Sequence, residues 1–311
     1  MALRKIALVG VGKIAIDQHI PSLAKSDDWE LAAAVSRHHQ VEGVPNYKSM
    51  DEMLGAHPEI EVVSLCMPPV PRFEYARAAI AAGRHVMLEK PPGATLSEVY
   101  ALEALARDAG VTLYATWHSR KAAQVATAKA WLMGKAIERF TVTWKEDVRK
   151  WHPNQDWVFE PGGMGIFDPG INALSIVTEI LPDPIHLTGA ILKFPANRDT
   201  PIAADLDFYH PHGATVSAQM NWDHSGADIW DIEAVCKEGV LKLEKGGGVL
   251  LIDGTEQPGA IGQLDGEYPQ LYADMAALVS SGASEVDLRP MLHVSDALTL
   301  GKRQQVSAFE W

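Results

Sequence analysis

Apolar positions in the first part of the chain occur in short runs rich in Val, Leu and Ala, separated by longer stretches with helical spacing. Short apolar strands that alternate with helices are typical of a parallel sheet covered on both faces, with right-handed crossovers. We therefore predict a doubly wound α/β domain that ends near Trp117. Its predicted strands are 5–9, 29–36, 61–66, 84–88 and 111–115, and its predicted helices include 13–25, 74–82 and 96–108.

The pattern changes after a helix predicted for 122–132. Apolar segments then follow one another with only turn residues between them, which is typical of an antiparallel sheet. We predict a Rossmann dinucleotide-binding domain over 1–118 and an α+β substrate and oligomerisation domain over 119–311, with a large open, mostly antiparallel sheet. The predicted strands of the second domain are 137–144, 185–194, 203–209, 215–222, 230–236 and 240–243, and helices over 268–280 and 290–308 close the chain.

Composition narrows the class of protein. A length of 311 residues exceeds one hydrophobic core, which agrees with two domains. The net charge of −13, without a cluster of Lys and Arg, makes nucleic acid and anionic membranes poor partners, and no apolar segment is long enough to span a bilayer. The two cysteines, Cys66 and Cys236, lack metal-ligand or redox spacing, so we expect a reducing cytoplasm and no metal.

A glycine turn follows the first predicted strand. Gly10 and Gly12, with Lys13 and Ile14 after them, lie where the strand passes into a helix. Glycines there let the backbone approach a pyrophosphate, which the helix N-terminus then receives. The turn therefore predicts dinucleotide binding.

The end of the second predicted strand bears on which nucleotide is bound. It reads Ser36-Arg37-His38, where a carboxylate would hold the ribose hydroxyls of NAD. A hydroxyl and a guanidinium suit a 2′-phosphate, so NADP is favoured. In an alternative interpretation Arg37 stacks on adenine, and NAD is then also accepted.

Two later strand ends should border the same crevice. Cys66 is expected to be a small buried residue beside the cofactor, and Pro68 and Pro69 fix the loop after it. Glu89 and Lys90 follow a later strand, and the lysine is placed to contact a substrate rather than the cofactor's phosphates.

A further motif surrounds Asp168 and Asn172, which are four residues apart and can share a helix face. Pro169 at a first helical position, with an acidic residue before it, indicates a helix start. Asp168 is then either a functional carboxylate or only the N-cap of that helix.

The glycine turn, Glu89-Lys90-Pro91, Trp117-His118-Ser-Arg120 and the Gly162–Asn172 motif resemble the Gfo/Idh/MocA oxidoreductase family in order and spacing. The resemblance implies a sugar or polyol oxidised with NAD or NADP, a catalytic Lys90, cofactor contacts from Trp117 and His118, and an open sheet that forms a homodimer. Two positions depart from that family: Asn172 stands where histidine is usual, and Phe73 stands where a histidine often contacts the cofactor.

Within the family, the motifs at 89–93, 115–120, 144–149, 151–153 and 168–176 resemble bacterial L-arabinose/D-galactose 1-dehydrogenases. The resemblance implies oxidation of an aldose at C1 to a lactone. A base and a cation must meet the C1 hydroxyl, and we assign that work to a Lys90–Asp168 pair, with Asn172 orienting the sugar. The sugar-binding candidates are His118, Glu146, Trp151 and His152. The alternatives are a dehydrogenase acting on a non-anomeric carbon of a polyol or cyclic sugar and, less favoured, a cofactor-sensing regulator.

Overall fold

The computed structural model describes residues 3–259 and 266–311, and these form two compact units. The first unit contains 3–118 and 266–287, and the second contains 119–259 and 288–311. The predicted fold class is confirmed, since one unit holds a parallel sheet and the other a mostly antiparallel one. The boundary at 118/119 stays a prediction, because a compact unit is not by itself a domain that folds alone.

Up to residue 118 the chain alternates strands with helices. A π-helical turn, Ala15–His19, precedes the first α-helix. The elements are β1 Arg4–Val9, α1 Ile20–Ala24, β2 Trp29–Val35, β3 Asn46–Tyr47, α2 Met50–Ala56, β4 Val62–Leu65, α3 Pro69–Ala81, β5 His85–Leu88, α4 Leu96–Ala109 and β6 Leu113–Ala115.

The rest of the chain is dominated by strands. Short 3-10 turns occur at His118–Lys121, Asp156–Phe159 and Lys245–Gly247. The elements are α5 Val125–Leu132, β7 Ile137–Lys145, α6 Val148–Trp151, α7 Phe167–Ile180, β8 His186–Pro195, β9 Ala203–Tyr209, β10 Thr215–Asn221, β11 Ile229–Cys236, β12 Gly239–Glu244, β13 Val249–Ile252, β14 Thr255–Glu256, α8 Glu267–Ser281, α9 Arg289–Leu300 and β15 Lys302–Val306.

The first sheet is parallel and has the order β3-β2-β1-β4-β5-β6. The strand order reverses at β1, whose last residue, Val9, pairs with Val35 of β2 and with Leu65 of β4. The loops after β1, β2 and β4 therefore meet at one edge, which is where open α/β sheets bind their ligands.

The helix α8 completes the first unit although it lies far along the chain. Its residues Leu271, Tyr272 and Met275 are buried in one apolar cluster with Ile6 and Leu8 of β1. One face of the parallel sheet is therefore covered by a segment from the C-terminal part of the sequence, which the local pattern of apolar residues did not assign to it.

The second sheet has the order β14-β13-β12-β11-β7-β10-β9-β8-β15. Only the β7–β10 and β8–β15 pairs are parallel among the strands described. On β7, Phe140, Val142 and Trp144 are buried, and α7 packs against this strand. The residues between them are half-buried and polar, so one sheet face forms the core of the unit and the other is polar.

The prediction of one long final helix, 290–308, is wrong. The helix α9 ends at Leu300, and β15 then pairs in parallel with β8, from Lys302 beside Ile191 to Val306 beside Pro195. The sheet edge pairs each residue of 302–306 with a residue of β8, and this tertiary pairing overrides the helical periodicity of the segment.

Candidate active site

The glycine turn after β1 is shaped to leave space beside its backbone. Gly10 has φ +92°, and a Cβ there would lie 2.6 Å from the backbone nitrogen of Met67, so only glycine lets the loop after β4 approach. A Cβ on Gly12 would meet no atom within 4 Å. Because packing does not require that glycine, the open space beside it fits the close approach of a dinucleotide's pyrophosphate.

The side chains of the two residues after Gly12 are exposed. Lys13 pairs with Asp17 one helical turn later, and Ile14 is 37% exposed. We expect the backbone of these residues to contact a cofactor, since the Lys13 ammonium already has a carboxylate partner.

The segment after β2 forms a tight turn held by Ser36. Its Oγ accepts hydrogen bonds from the backbone N–H groups of His38 and His39, at 3.4 and 3.2 Å, while Arg37 is exposed. The Lys48 ammonium donates to the Arg37 carbonyl at 2.7 Å. Two cations thus lie at this strand end, and Lys48 was missed because β3, which positions it, is only two residues long.

Buried Arg72 joins the loop after β4 to the turn that carries Lys90. Its guanidinium donates to the carbonyls of Met67, Glu89 and Pro91. A planar group with five donors in fixed directions can hold several carbonyls at once, which a lysine cannot do with the same geometry. Arg72 therefore fixes the main chain on both sides of half-buried Lys90.

The loop held by Arg72 contains the other candidates of this region. Cys66 is buried as expected, Pro68 is exposed, and Pro69 begins α3. The Lys90–Pro91 peptide bond is cis. The role of Arg72 was missed in the sequence, since its carbonyl partners lie 5, 17 and 19 residues away and no local pattern shows them.

The side chain of Glu89 is also held, by two residues far away in sequence. Tyr268 donates to Glu89 Oε1 at 2.6 Å, and His19 Nε2 lies 3.6 Å from the same oxygen. Burial alone would raise the pKa of Glu89, but the facing His19 lowers it to about 2. The His19 Nδ1 lies 2.6 Å from the hydroxyl of Tyr272, so the carboxylate next to Lys90 is fixed as an anion inside a buried network.

His118 and Trp117 are held by the same C-terminal segment. His118 stacks on the ring of Tyr268, and its Nδ1 lies 2.5 Å from Glu267 Oε2. The indole of buried Trp117 donates to the carbonyl of Asp287 at 2.8 Å. Glu267 and Tyr268 therefore position His118, and Asp287 positions Trp117. A sequence pattern could not show this because the helix pairs with residues about 150 positions earlier.

In the second unit, Glu146 lies buried after β7 between two indoles. Trp222 donates to its Oε1 at 3.0 Å and Trp230 to its Oε2 at 2.7 Å. Burial raises the pKa of Glu146 to about 7, against the lowering effect of both indole donors and with a further raising effect from Asp168 and Asp228. Glu146 is thus a carboxyl group that can exchange a proton near neutral pH.

Asp168 and Asn172 lie on α7, but the helix starts earlier than predicted. It begins at Phe167, so Asp168 is its second residue and Pro169 its third. The N-cap interpretation of Asp168 is therefore wrong, and so is Pro169 at the first position. The chain enters this helix at Gly165, whose φ of +53° and close approach to the Pro201 carbonyl require glycine.

His152 lies against Asp168, with its Nε2 3.2 Å from the carboxylate Oδ2. It also packs edge-to-face on Trp157 and Trp222, with ring centroids at 5.8 and 5.5 Å. The second unit thus brings together three of its predicted site residues, His152, Asp168 and Glu146, around Trp222.

Trp151 is half-buried, and its ring lies 5.7 Å from the ring of Trp230, which also stacks on Trp144. A tryptophan pair that is partly exposed offers a flat apolar surface of the kind that the C–H face of a sugar binds. The sequence predictions missed Trp222 and Trp230, whose indoles both donate to the Glu146 carboxylate.

Other classes of site receive no support from the part of the chain that the structure describes. Residues 3–259 and 266–311 contain no group of three or more His, Cys, Asp or Glu able to hold a metal ion. None of the helices described is long and apolar enough to cross a membrane. Both cysteines are buried, and neither forms a disulfide.

Comparison with known proteins places the chain in a family. Residues 4–116 match the Gfo/Idh/MocA oxidoreductase family, with its NAD-binding Rossmann fold. A galactose 1-dehydrogenase from Pseudomonas fluorescens is 38% identical over 98% of this chain and 98% of its own length. The chain belongs to the Gfo/Idh/MocA oxidoreductase family.

Two solved structures extend the likeness over the whole chain. The D-galactose-1-dehydrogenase from Rhizobium etli is 53% identical and superposes with a TM-score of 0.94, covering 100% of this chain and 99% of the other. The 3-ketoreductase KijD10 from Actinomadura kijaniata, in complex with NADP and TDP-benzene, has a TM-score of 0.85 at 19% identity and shares the fold. The recognition of the family from its motifs is thus confirmed.

Proposed function

We propose that the protein oxidises an aldose, D-galactose or L-arabinose, at C1 to the corresponding lactone, with NADP preferred over NAD. The observation that carries this proposal is the 53% identity, over the full length of both chains, with a D-galactose-1-dehydrogenase. D-Galactose and L-arabinose share their ring stereochemistry from C1 to C4 and differ by the exocyclic CH2OH group. One pocket with room at C5 can therefore bind both sugars.

The residues of this chain supply the proton chemistry of such a reaction. Lys90 and Asp168 act as a pair on the C1 hydroxyl, because an ammonium stabilises the oxygen as a carboxylate takes its proton. Asn172, which cannot titrate, orients the sugar through its amide. Glu146, His118 and His152 supply polar groups for the other hydroxyls, and Trp151 supplies a flat apolar surface.

The cofactor is held by the first unit. The residues proposed for it are the turn Gly10–Ile14, the strand end at 36–38, the loop at 66–69, Glu89, Lys90, Trp117 and His118. When bound, the nicotinamide accepts the C1 hydrogen as hydride. The preference for NADP is supported by two cations at the end of β2, Arg37 and Lys48, where a 2′-phosphate needs positive charge.

We propose that the protein works as a homodimer in the cytoplasm. Support for the dimer comes from the polar face of the nine-stranded sheet, where exposed Tyr209 and Ile191 alternate with charged side chains such as Asp207. Molar mass by light scattering tests the dimer, and Tyr209→Asp with Ile191→Asp should shift the protein toward monomers without unfolding it. A monomer in the wild type contradicts this part of the proposal.

The central experiment is a panel of aldoses and polyols assayed with NADP and with NAD. We expect reduction of NADP with D-galactose and L-arabinose, and a lactone that hydrolyses and acidifies the medium. A stable ketone as product would instead identify a dehydrogenase of a non-anomeric carbon. Tight cofactor binding without turnover of any sugar would favour a cofactor-sensing protein.

The cofactor preference has its own test at Arg37. Arg37→Asp removes a cation and adds an anion at the proposed 2′-phosphate position, so kcat/KM with NADP should fall by on the order of 2 kcal/mol or more. The activity with NAD should change much less. A matched variant, Arg77→Asp on α3, changes an exposed arginine at another site and should leave the NADP/NAD ratio as it is. An unchanged ratio in Arg37→Asp contradicts the assignment.

A further inference from the structure

A chain of contacts in the second unit determines where His152 carries its protons. The indole of Trp157 donates to Gln155 Oε1 at 3.0 Å, and His152 Nδ1 lies 3.2 Å from the same oxygen. An indole nitrogen can only donate, so the atom it meets must be the amide oxygen and not the amide nitrogen. Because an amide oxygen only accepts, His152 Nδ1 must carry a hydrogen.

The other ring nitrogen of His152 then faces a carboxylate. A neutral imidazole carries one hydrogen, and Nδ1 holds it, so Nε2 presents a lone pair to Asp168 Oδ2 at 3.2 Å. Two acceptors at this distance repel each other. One proton between them relieves the repulsion, either on Nε2 as an imidazolium or on Asp168 as a carboxylic acid. The arrangement therefore raises the proton affinity of the pair above that of an isolated aspartate.

We infer that His152 and Asp168 form a coupled proton acceptor, in which the fixed Nδ1–H of His152 makes Asp168 a stronger base. The inference rests on the function proposed above. An ordinary aspartate, with a pKa of about 3.9, is a weak acceptor for a sugar hydroxyl, whereas a carboxylate that shares the incoming proton with an imidazole is a stronger one. His152 acts here through Asp168, as a positioning and proton-sharing residue, in place of the direct contact with a sugar hydroxyl proposed above.

The step balances for atoms and electrons. The O–H bond at C1 breaks and its proton moves to the Asp168 carboxylate, where it is shared with His152 Nε2. The C1–H bond breaks and the hydrogen leaves with its electron pair to the oxidised nicotinamide cofactor, as the C1–O bond becomes a carbonyl. The sugar is oxidised, the cofactor is reduced, and the shared proton is later released to solvent.

Other ionisable groups near His152 in its unit could also contribute to the pH dependence of the reaction. Glu146 accepts a hydrogen bond from Trp222, its pKa is raised by burial to about 7, and its charge interacts with that of Asp168. On α6, Arg149 binds Asp223 and Lys150 binds Asp228, so both cations are paired with carboxylates. Glu146→Gln therefore belongs in the test, as the variant that removes the other titrating carboxyl.

The test is the pH dependence of kcat/KM for D-galactose in variants that keep both members of the pair. Gln155→Leu removes the acceptor for Nδ1–H, so His152 can instead carry its hydrogen on Nε2 and donate to Asp168. The acid limb of the profile should then move to lower pH by about one unit or more. Gln155→Glu strengthens the Nδ1–H bond and should move the limb to higher pH. Shifts of opposite sign are expected, and a merely structural role of Gln155 would not produce them.

His152→Gln provides the second arm. It should move the acid limb toward the value of an ordinary aspartate and lower the plateau of kcat about tenfold or more, because the base is then weaker. Added to Asp168→Asn, it should cost little more, since the two residues act as a unit. In Glu146→Gln the limb should move by less than in His152→Gln, because Glu146 acts on Asp168 only through its charge. A limb that follows Glu146 and ignores His152 and Gln155 overturns the inference.

A readout that needs no turnover separates this inference from the proposed function. The 15N and 1H signals of the His152 ring in the unliganded wild-type protein report which nitrogen is protonated. We expect a proton on Nδ1 throughout the titration and a change at Nε2 alone. A neutral ring with its proton on Nε2 overturns the inference even if the protein oxidises galactose. The expected tautomer in a protein that oxidises no aldose would instead refute only the proposed function.

Discussion

The two units hold their candidate catalytic groups in different ways. In the first unit the main chain around Lys90 is held, by Arg72 at the carbonyls on both sides and by Tyr268 through Glu89. In the second unit the carboxyl groups themselves are contacted, Glu146 by two indoles and Asp168 by His152. Holding the backbone fixes the position of the Cα atom from which a flexible side chain extends. Contacting a carboxyl group determines its proton affinity, and proton transfer depends on that affinity directly.

The largest expected effect comes from removing one group from each unit. Lys90→Ala and Asp168→Ala should each lower kcat by about 10²-fold or more, as for loss of a general base or its partner. If the two groups act on one proton, the double variant should lose much less than the product of the single effects. Steady-state kinetics of the four proteins measures this, with Lys25→Ala and Asp27→Ala as exposed controls. Independent, multiplicative losses would contradict a coupled Lys90–Asp168 pair.

The clamp on the main chain can be broken at Arg72. Arg72→Gln removes donors from three buried carbonyls, so the free energy of unfolding should fall by about 3 kcal/mol and kcat should fall with it. Arg72→Lys keeps the charge but not the planar fork, and should recover only part of both losses. Urea unfolding and kcat, measured on the same preparations, give the two quantities. A fully active Arg72→Gln variant would show that the Lys90 turn does not need this clamp.

The proton affinity of Glu146 can be read from stability. Its pKa is raised from the usual 4.5 to about 7, so the folded protein binds this proton more tightly than the unfolded chain. The stability that this proton contributes is present below pH 4.5, is lost as the pH rises to about 7, and amounts to at most about 3 kcal/mol. Glu146→Gln should remove that pH dependence. Unfolding free energies of both proteins at pH 5 and pH 8 test it, and a constant difference between them contradicts the raised pKa.

The smallest expected effect is at Asn172, which orients the sugar and does not titrate. Asn172→Ala should raise the sugar KM and lower kcat, by roughly tenfold in kcat/KM, while the pH profile keeps the wild-type shape. The pH dependence of kcat checks this. A shift of its apparent pKa as large as that of Asp168→Asn would place Asn172 on the proton path.

Most of the fold could be predicted because it follows from local periodicity. Alternating strands and helices gave the parallel sheet, and consecutive strands gave the mixed one. The errors occurred where tertiary contacts decide the local structure. A backbone partner on β8 converts 302–306 from helix to strand, and the segment predicted as one helix over 13–25 opens with a π-turn that places His19 next to Glu89.

The sequence predicted which residues belong to the candidate site, but not which residues contact them. Motifs identified Lys90, Glu146, His152 and Asp168, whose roles stay predictions until variants are measured. The residues that hold them were missed in part, because Arg72 and Tyr268 make their contacts across long sequence separations. A single sequence without the fold has no signal for such pairs.

The place of α8 has a consequence for synthesis of the chain. Tyr272 and Met275 cover Trp29 and Leu8, which lie in the first 30 residues, yet the helix is translated only after almost the whole second unit. A ribosome-bound chain that has reached residue 118 therefore still exposes part of the apolar surface of its parallel sheet. The unit that is begun first is thus completed only at residue 287, after most of the second unit has been made. Nascent chains stalled before residue 267 should attract chaperones that bind exposed apolar surface.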